Sequence, residues 1–146
     1  AAIDYLSLNR PIAFTLDDVE EYEKNSLIAL GSIYGIELLF DNTMECRNRL
    51  FKVWYNAYKS IAKKKLDINV VKSAQFIIDR NIVCGNALHM IDYRGFPIVF
   101  SEWSLITGSR IQRKEFFYDE TYNNYDANVQ LHQYISDYRR LWDYVN

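Results

Sequence analysis

Apolar positions recur every three or four residues through the first half of the chain, then give way to denser, extended runs beyond residue 81. The first recurrence predicts a helix over residues 16–40, with a break near Asn25 and Ser26. Thr15 and Asp18 stand at capping-box spacing at its start. Asp17, Asp18, Glu20 and Glu21 complement the positive end of a helix there. Gly31 and Gly35 share one face of this helix, at a spacing that fits tight packing or a helix break.

A second helix is predicted over residues 43–65, with Asn42 and Glu45 at capping-box spacing. Cys46, Leu50, Val53, Trp54, Ala57 and Ile61 recur at three and four and define its buried stripe. On the opposite side fall Arg49, Lys52, Asn56, Lys59 and Lys63. Asp67 then caps a shorter helix whose apolar positions are Val70, Val71, Ala74, Ile77 and Ile78.

From residue 81 the texture is β-favouring. Residues 86–93 and 96–103 are apolar runs joined by Arg94 and Gly95, a hairpin signal, with Pro97 at an edge or first position. Residues 110–118 predict a third strand. A polar turn at residues 122–125 precedes a final helix from Ala127, with Leu131, Tyr134, Ile135, Tyr138, Leu141, Trp142 and Val145 on one side. The expectation is an α+β fold in the order α-α-α-β-β-β-α: a mostly helical domain with a small three-stranded antiparallel sheet and a C-terminal helix. One globular domain over residues 1–146 accounts for it, helical over 1–80, β-rich over 81–118 and helical over 127–146. Residues 1–14 read as irregular.

Charge sharpens this picture. Residues 1–42 sum to −6, residues 43–80 to +6 and the remainder to −2, so a total of −2 hides a dipolar chain. Such sorting points to an internal electrostatic contact or to a basic surface that binds something anionic. Apolar content of 49% with 25% charged residues argues against disorder. Twelve tyrosines and eight phenylalanines suit interfaces; with the abundant Ile, Asn and Lys they equally fit AT-rich coding, as in phages and viruses. The longest apolar stretch, residues 27–40, falls short of the roughly 20 residues that span a bilayer. No signal peptide is visible and Cys46 and Cys84 form no disulfide framework, so a cytoplasmic setting and no membrane are expected.

The basic helix face is the best chemical lead. Arg49, Lys52, Lys59, Lys63 and Lys64 could track phosphates while Tyr55, and Tyr58 beside it, stack on bases. A solvated face opposite a buried stripe is the ordinary alternative, and a pI of 5.7 weighs toward it. Residues 94–100 approximate the RNP1 signature of the RRM family. They place Ile98 and Ser101 where stacking aromatics belong, and Pro97 where a small residue belongs, so an RRM is excluded. His89, five residues after Cys84, reads as a core histidine in a strand. No zinc spacing, G-x-S-x-G, H-E-x-x-H, C-x-x-C, P-loop or dinucleotide motif occurs, and no cofactor, metal or small-molecule substrate is expected. A metal-dependent hydrolase would need Asp92 and Glu102 to converge, with Glu115 and Lys114 nearby.

Residues 48–51, 84–88 and 114–118 resemble pieces of connector proteins of small tailed phages. The resemblance covers about a tenth of the chain, carries no chemical motif and transfers no residue role. It implies a phage or viral origin. The expectation for function is a non-enzymatic interaction or assembly protein that self-associates. The alternatives are a nucleic-acid-binding protein using the basic face and, third, a metal-dependent hydrolase.

Overall fold

The computed structural model describes residues 14–118 and 128–143, and the fold is α+β. Helix α1 spans Leu16–Gly31. Its capping box forms as the spacing requires: Thr15 Oγ1 accepts from the Asp18 N–H at 3.1 Å and Asp18 Oδ2 accepts from the Thr15 N–H at 3.0 Å. The Thr15 backbone N–H foremost, and next the Thr15 hydroxyl, hold the Asp18 carboxyl below its ordinary range.

The helix stops at Gly31 and does not continue to residue 40. Trp103 lies against Gly31, where a Cβ would sit 2.9 Å from the indole, so glycine alone admits the ring. The Asn81 side chain then donates to the carbonyls of Gly31 at 3.0 Å and Ile33 at 3.1 Å, and accepts from Trp103 Nε1 at 3.0 Å. Carbonyls left orphaned by the helix end are thereby satisfied. Gly35 belongs instead to strand β1, Gly35–Glu37.

Helix α2, Phe40–Ala62, begins three residues before the predicted start. The Asn42–Glu45 box does not form: Leu39 is the cap, Thr43 Oγ1 donates back to the Leu39 carbonyl, and Glu45 pairs with Arg49. Its buried row is Trp54, Tyr58 and Ala62, spaced by four. Val53 and Ala57, one position earlier, lie about 100° round the helix and are exposed. Residues Lys63–Lys65 form a 3₁₀ turn entered through Lys63 at φ 50°. Asp67 caps α3, Ile68–Asn81, accepting from the Asn69 N–H at 2.8 Å. All five expected apolar positions of α3 are buried.

Two three-stranded sheets complete the fold. In the first, β2 (Ile82–Asn86) lies between β1, which it pairs in parallel, and β3 (Ile91–Asp92), which it pairs antiparallel. The second is an antiparallel meander of β4 (Val99–Leu105), β5 (Arg110–Tyr118) and β6 (Asn128–Asp137), with an irregularity between Lys114 and Phe116. The expected hairpin survives only as a tight turn with Gly95 at φ 88°, bridged by Ile91 and Pro97. Asn86 turns the chain after β2 by accepting from the Leu88 N–H. Pro97 has no N–H to extend the ladder, so β4 pairs with β5 instead.

The C-terminal helix is not formed: the segment is β6. The segment pairs along the free edge of β5, from Arg110 opposite Asp137 to Tyr118 opposite Asn128, and Leu131 and Ile135, expected on a buried helical side, are exposed. Only Tyr138–Arg140 coils, as a 3₁₀ turn. Tyr138 and Leu141 nevertheless bury as the helical reading required, and the Leu141 N–H donates to Ser73 Oγ on α3 at 3.1 Å. Ala127 and Val145 lie outside the described residues, as do residues 1–13 and the turn at 122–125. The hydrophobic core runs from Val19, Leu27 and Leu30 through Trp54, Tyr58 and the α3 row to Trp103, Ile111, Tyr138 and Leu141.

Candidate functional site

Helix α2 holds the predicted basic face in one arc. Its opposite side is pinned by Trp54, Tyr58 and Ala62, so Arg49, Lys52 and Lys59 must face outward. Lys63 and Lys64 follow, exposed on the 3₁₀ turn. Arg49 is engaged, its Nε 2.7 Å from Glu45 Oε1 one turn away. Tyr55 is half-buried and stacks on Phe51 at 5.4 Å, with Lys59 Nζ 5.0 Å from its ring centroid. Tyr58 is fully buried and cannot stack on a base.

Other bases of this segment hold the fold together. Arg47 Nε donates to the Ile82 carbonyl at 2.9 Å, Lys65 Nζ to the Phe14 carbonyl at 3.0 Å, and Arg80 lies 4.1 Å over Phe76. Lys52, Lys59, Lys63 and Lys64 make no ion pair among the described residues. The acidic start of α1 does not reach them. Asp18 is spent on the cap, Glu21 meets Lys24 at 3.3 Å, and Glu20 meets Arg139 at 3.8 Å. Among the described residues, then, charge segregation is not consumed by an internal contact between the two segments.

A second surface lies at the β1 edge and was hidden by the helix predicted through it. Leu38, Leu39 and Phe40 link β1 to α2 and are 70%, 60% and 64% exposed. Beside them an open groove of about 610 Å³ is lined by Ile33, Glu37, Cys46, Arg49, Leu50 and Val53. Runs of exposed large apolar residues at such a groove mark interaction sites more often than single exposed side chains do. The chain signal was present: Leu38, Leu39 and Phe40 are consecutive, and no helix can bury three adjacent positions on one narrow stripe.

The buried chemistry is structural. Glu23 is 3% exposed and accepts from Tyr58 Oη and, at 2.7 Å, from Tyr138 Oη, joining α1, α2 and the C-terminal turn. Tyr58 Oη also accepts from the Asp67 N–H at 2.9 Å. Burial, with the Glu23 carboxylate next in size, pushes both phenols well above their ordinary range. Val19, Glu23, Leu27 and Leu30 fall on one helical row, a pattern that places Glu23 inside and that charge counting passes over.

Asp92 and Glu102 do not converge. Asp92 is tied to Arg94 in the β3 turn, whereas Glu102 faces Lys114 across β4 and β5 in the other sheet. No cluster of three or more His, Cys, Asp or Glu is arranged for a metal among the described residues. His89 is exposed in the turn after β2, not packed in a strand, and His132 stands 3.8 Å from Glu115. No helix of the described residues is long and apolar enough to cross a membrane. No protein-family model matches the chain, and neither a curated protein nor a solved structure matches it significantly.

Proposed function

We propose that this chain is a non-enzymatic interaction and assembly protein that self-associates in a cytoplasmic setting, host cytoplasm or virion, and is of phage or viral origin. The observation that carries the reading is the exposed apolar run Leu38–Leu39–Phe40 beside the β1-edge groove. A surface of this kind exposes apolar area that association removes from water, at about 25 cal/mol per Å² before the costs of association. The abundance of Tyr, Phe, Ile, Asn and Lys fits AT-rich coding, which agrees with the origin proposed. Sedimentation velocity across a concentration series tests it. Mass should rise with concentration, and Leu39→Ser with Phe40→Ser should abolish the rise; a wild-type monomer at every concentration refutes self-association.

A second reading has its own observation. Lys52, Lys59, Lys63 and Lys64 are exposed without an acidic partner among the described residues, which suits a polyanion such as nucleic acid. Binding to labelled DNA and RNA should fall steeply with salt, and Lys59→Glu with Lys63→Glu should remove it. Unchanged affinity in that variant rejects the lysine face.

A further inference from the structure

The small sheet has two edges, β1 on one side and β3 on the other. Both carry features suited to contact, and the two are unlike. The β3 edge ends in a rigid tip. Asp92 Oδ1 accepts from the N–H groups of Arg94 at 2.8 Å and Phe96 at 3.1 Å, and Asp92 Oδ2 binds Arg94 Nε and Nη2 at 3.1 and 2.7 Å. The Arg94 guanidinium in turn lies 5.8 Å from the Tyr93 ring and 5.3 Å from the Phe96 ring. Tyr93 and Phe96 are 76% and 60% exposed, so two aromatic anchors and an arginine are held in a fixed arrangement facing solvent. Tyrosine, arginine and phenylalanine are enriched in interface cores, and a preordered loop loses less entropy on docking.

The β1 edge offers the counterpart. Its groove is walled by Ile33, Cys46, Leu50 and Val53, and its volume lies within the roughly 300–1,000 Å³ of small-ligand sites. Glu45 in that wall is already paired with Arg49, but Glu37 makes no ion pair among the described residues. Arg94 Nη1 likewise has no acceptor among them. An aromatic pair beside an arginine that keeps Nη1 free of its Asp92 bond therefore matches an apolar groove that holds Glu37. Tip against groove pairs Arg94 with Glu37, a charge complement that a contact of either surface with its own copy does not supply.

We infer that copies of this chain join head to tail, the Tyr93–Arg94–Phe96 tip of one seated in the β1-edge groove of the next. Such a contact is heterologous, so it closes into a ring if its rotation permits and otherwise runs on as a filament. The inference rests on the self-association proposed above and specifies its surfaces.

Two variants separate the two halves of the contact. Tyr93→Ser with Phe96→Ser removes the tip and leaves the groove; Val53→Asp charges the groove and leaves the tip. Each should be monomeric alone by sedimentation velocity, with an unchanged circular dichroism spectrum. Mixed at equal concentration they should form one-to-one dimers and nothing larger, since only one tip and one groove remain usable. A milder variant, Glu37→Gln, should weaken wild-type association about tenfold through loss of its charge contact. A mixture that stays monomeric, or either variant assembling as the wild type does, overturns the head-to-tail contact. Wild-type oligomers indifferent to all three variants overturn it while self-association stands. A wild-type monomer at every concentration overturns both.

Discussion

Replacing Glu23 by leucine tests whether a buried carboxylate organises this fold. Its two acceptor bonds, from Tyr58 and Tyr138, are charge-assisted, and each such bond contributes about 1.5–3 kcal/mol. Losing both costs about 3–6 kcal/mol, offset in part because the carboxylate no longer has to be stripped of water. A net destabilisation of about 3 kcal/mol is expected, a large share of the ~5–15 kcal/mol of a typical domain. Urea denaturation followed by circular dichroism measures it, with the slope m unchanged. The sharper outcome concerns the triple variant Glu23→Leu, Tyr58→Phe, Tyr138→Phe. It removes donors along with the acceptor and leaves the Asp67 N–H without its partner, so it should cost about 1–2 kcal/mol. The triple variant should thus be more stable than Glu23→Leu alone, a non-additivity expected of groups sharing one network. A Glu23→Leu cost below about 1 kcal/mol, or a triple cost equal to the summed single costs, would refute the reasoning.

The same phenols predict an alkaline limit. Their folded pKa values are raised above the ordinary 10.0, so their contribution is full below pH 10 and is lost as pH climbs toward the folded values. Stability should hold up to about pH 10 and fall between pH 10 and 11, and Tyr58→Phe with Tyr138→Phe should flatten the fall. Gly31→Ala should destabilise by about 1–3 kcal/mol although alanine favours helix, because its Cβ meets Trp103 at 2.9 Å; a gain in thermal midpoint would contradict that packing.

The legible parts of this fold are those where one local signal stood unopposed. The Thr15 box, the Asp67 cap and the α3 apolar row each formed where the residues put them, because no distant partner competed. Residues 16–40 were misread because their apolar density continues past Gly31, while the event that ends the helix is tertiary: Trp103 and Asn81 reach it from far along the chain. Residues 128–137 recur at helical spacing, but the choice fell to the unpaired edge of β5, which a single segment cannot reveal.

The basic face was legible for the same reason as α3, since a helix with one buried row leaves its charges a single place to go. Its partners were not, because ion pairing depends on where other elements end. There the structure changes the argument. Had the acids of α1 neutralised the lysines of α2, the dipolar sequence would have been explained within one chain. Instead those acids serve a cap, a neighbouring lysine and Arg139, and the spare cations and spare apolar surface both face outward. Charge sorting by segment has therefore become charge sorting by surface, the arrangement that orients one molecule against another. The lysines of α2 that make no ion pair among the described residues and the exposed Leu38–Leu39–Phe40 edge are the surfaces on which the two proposed readings respectively draw, nucleic acid for the first and self-association for the second.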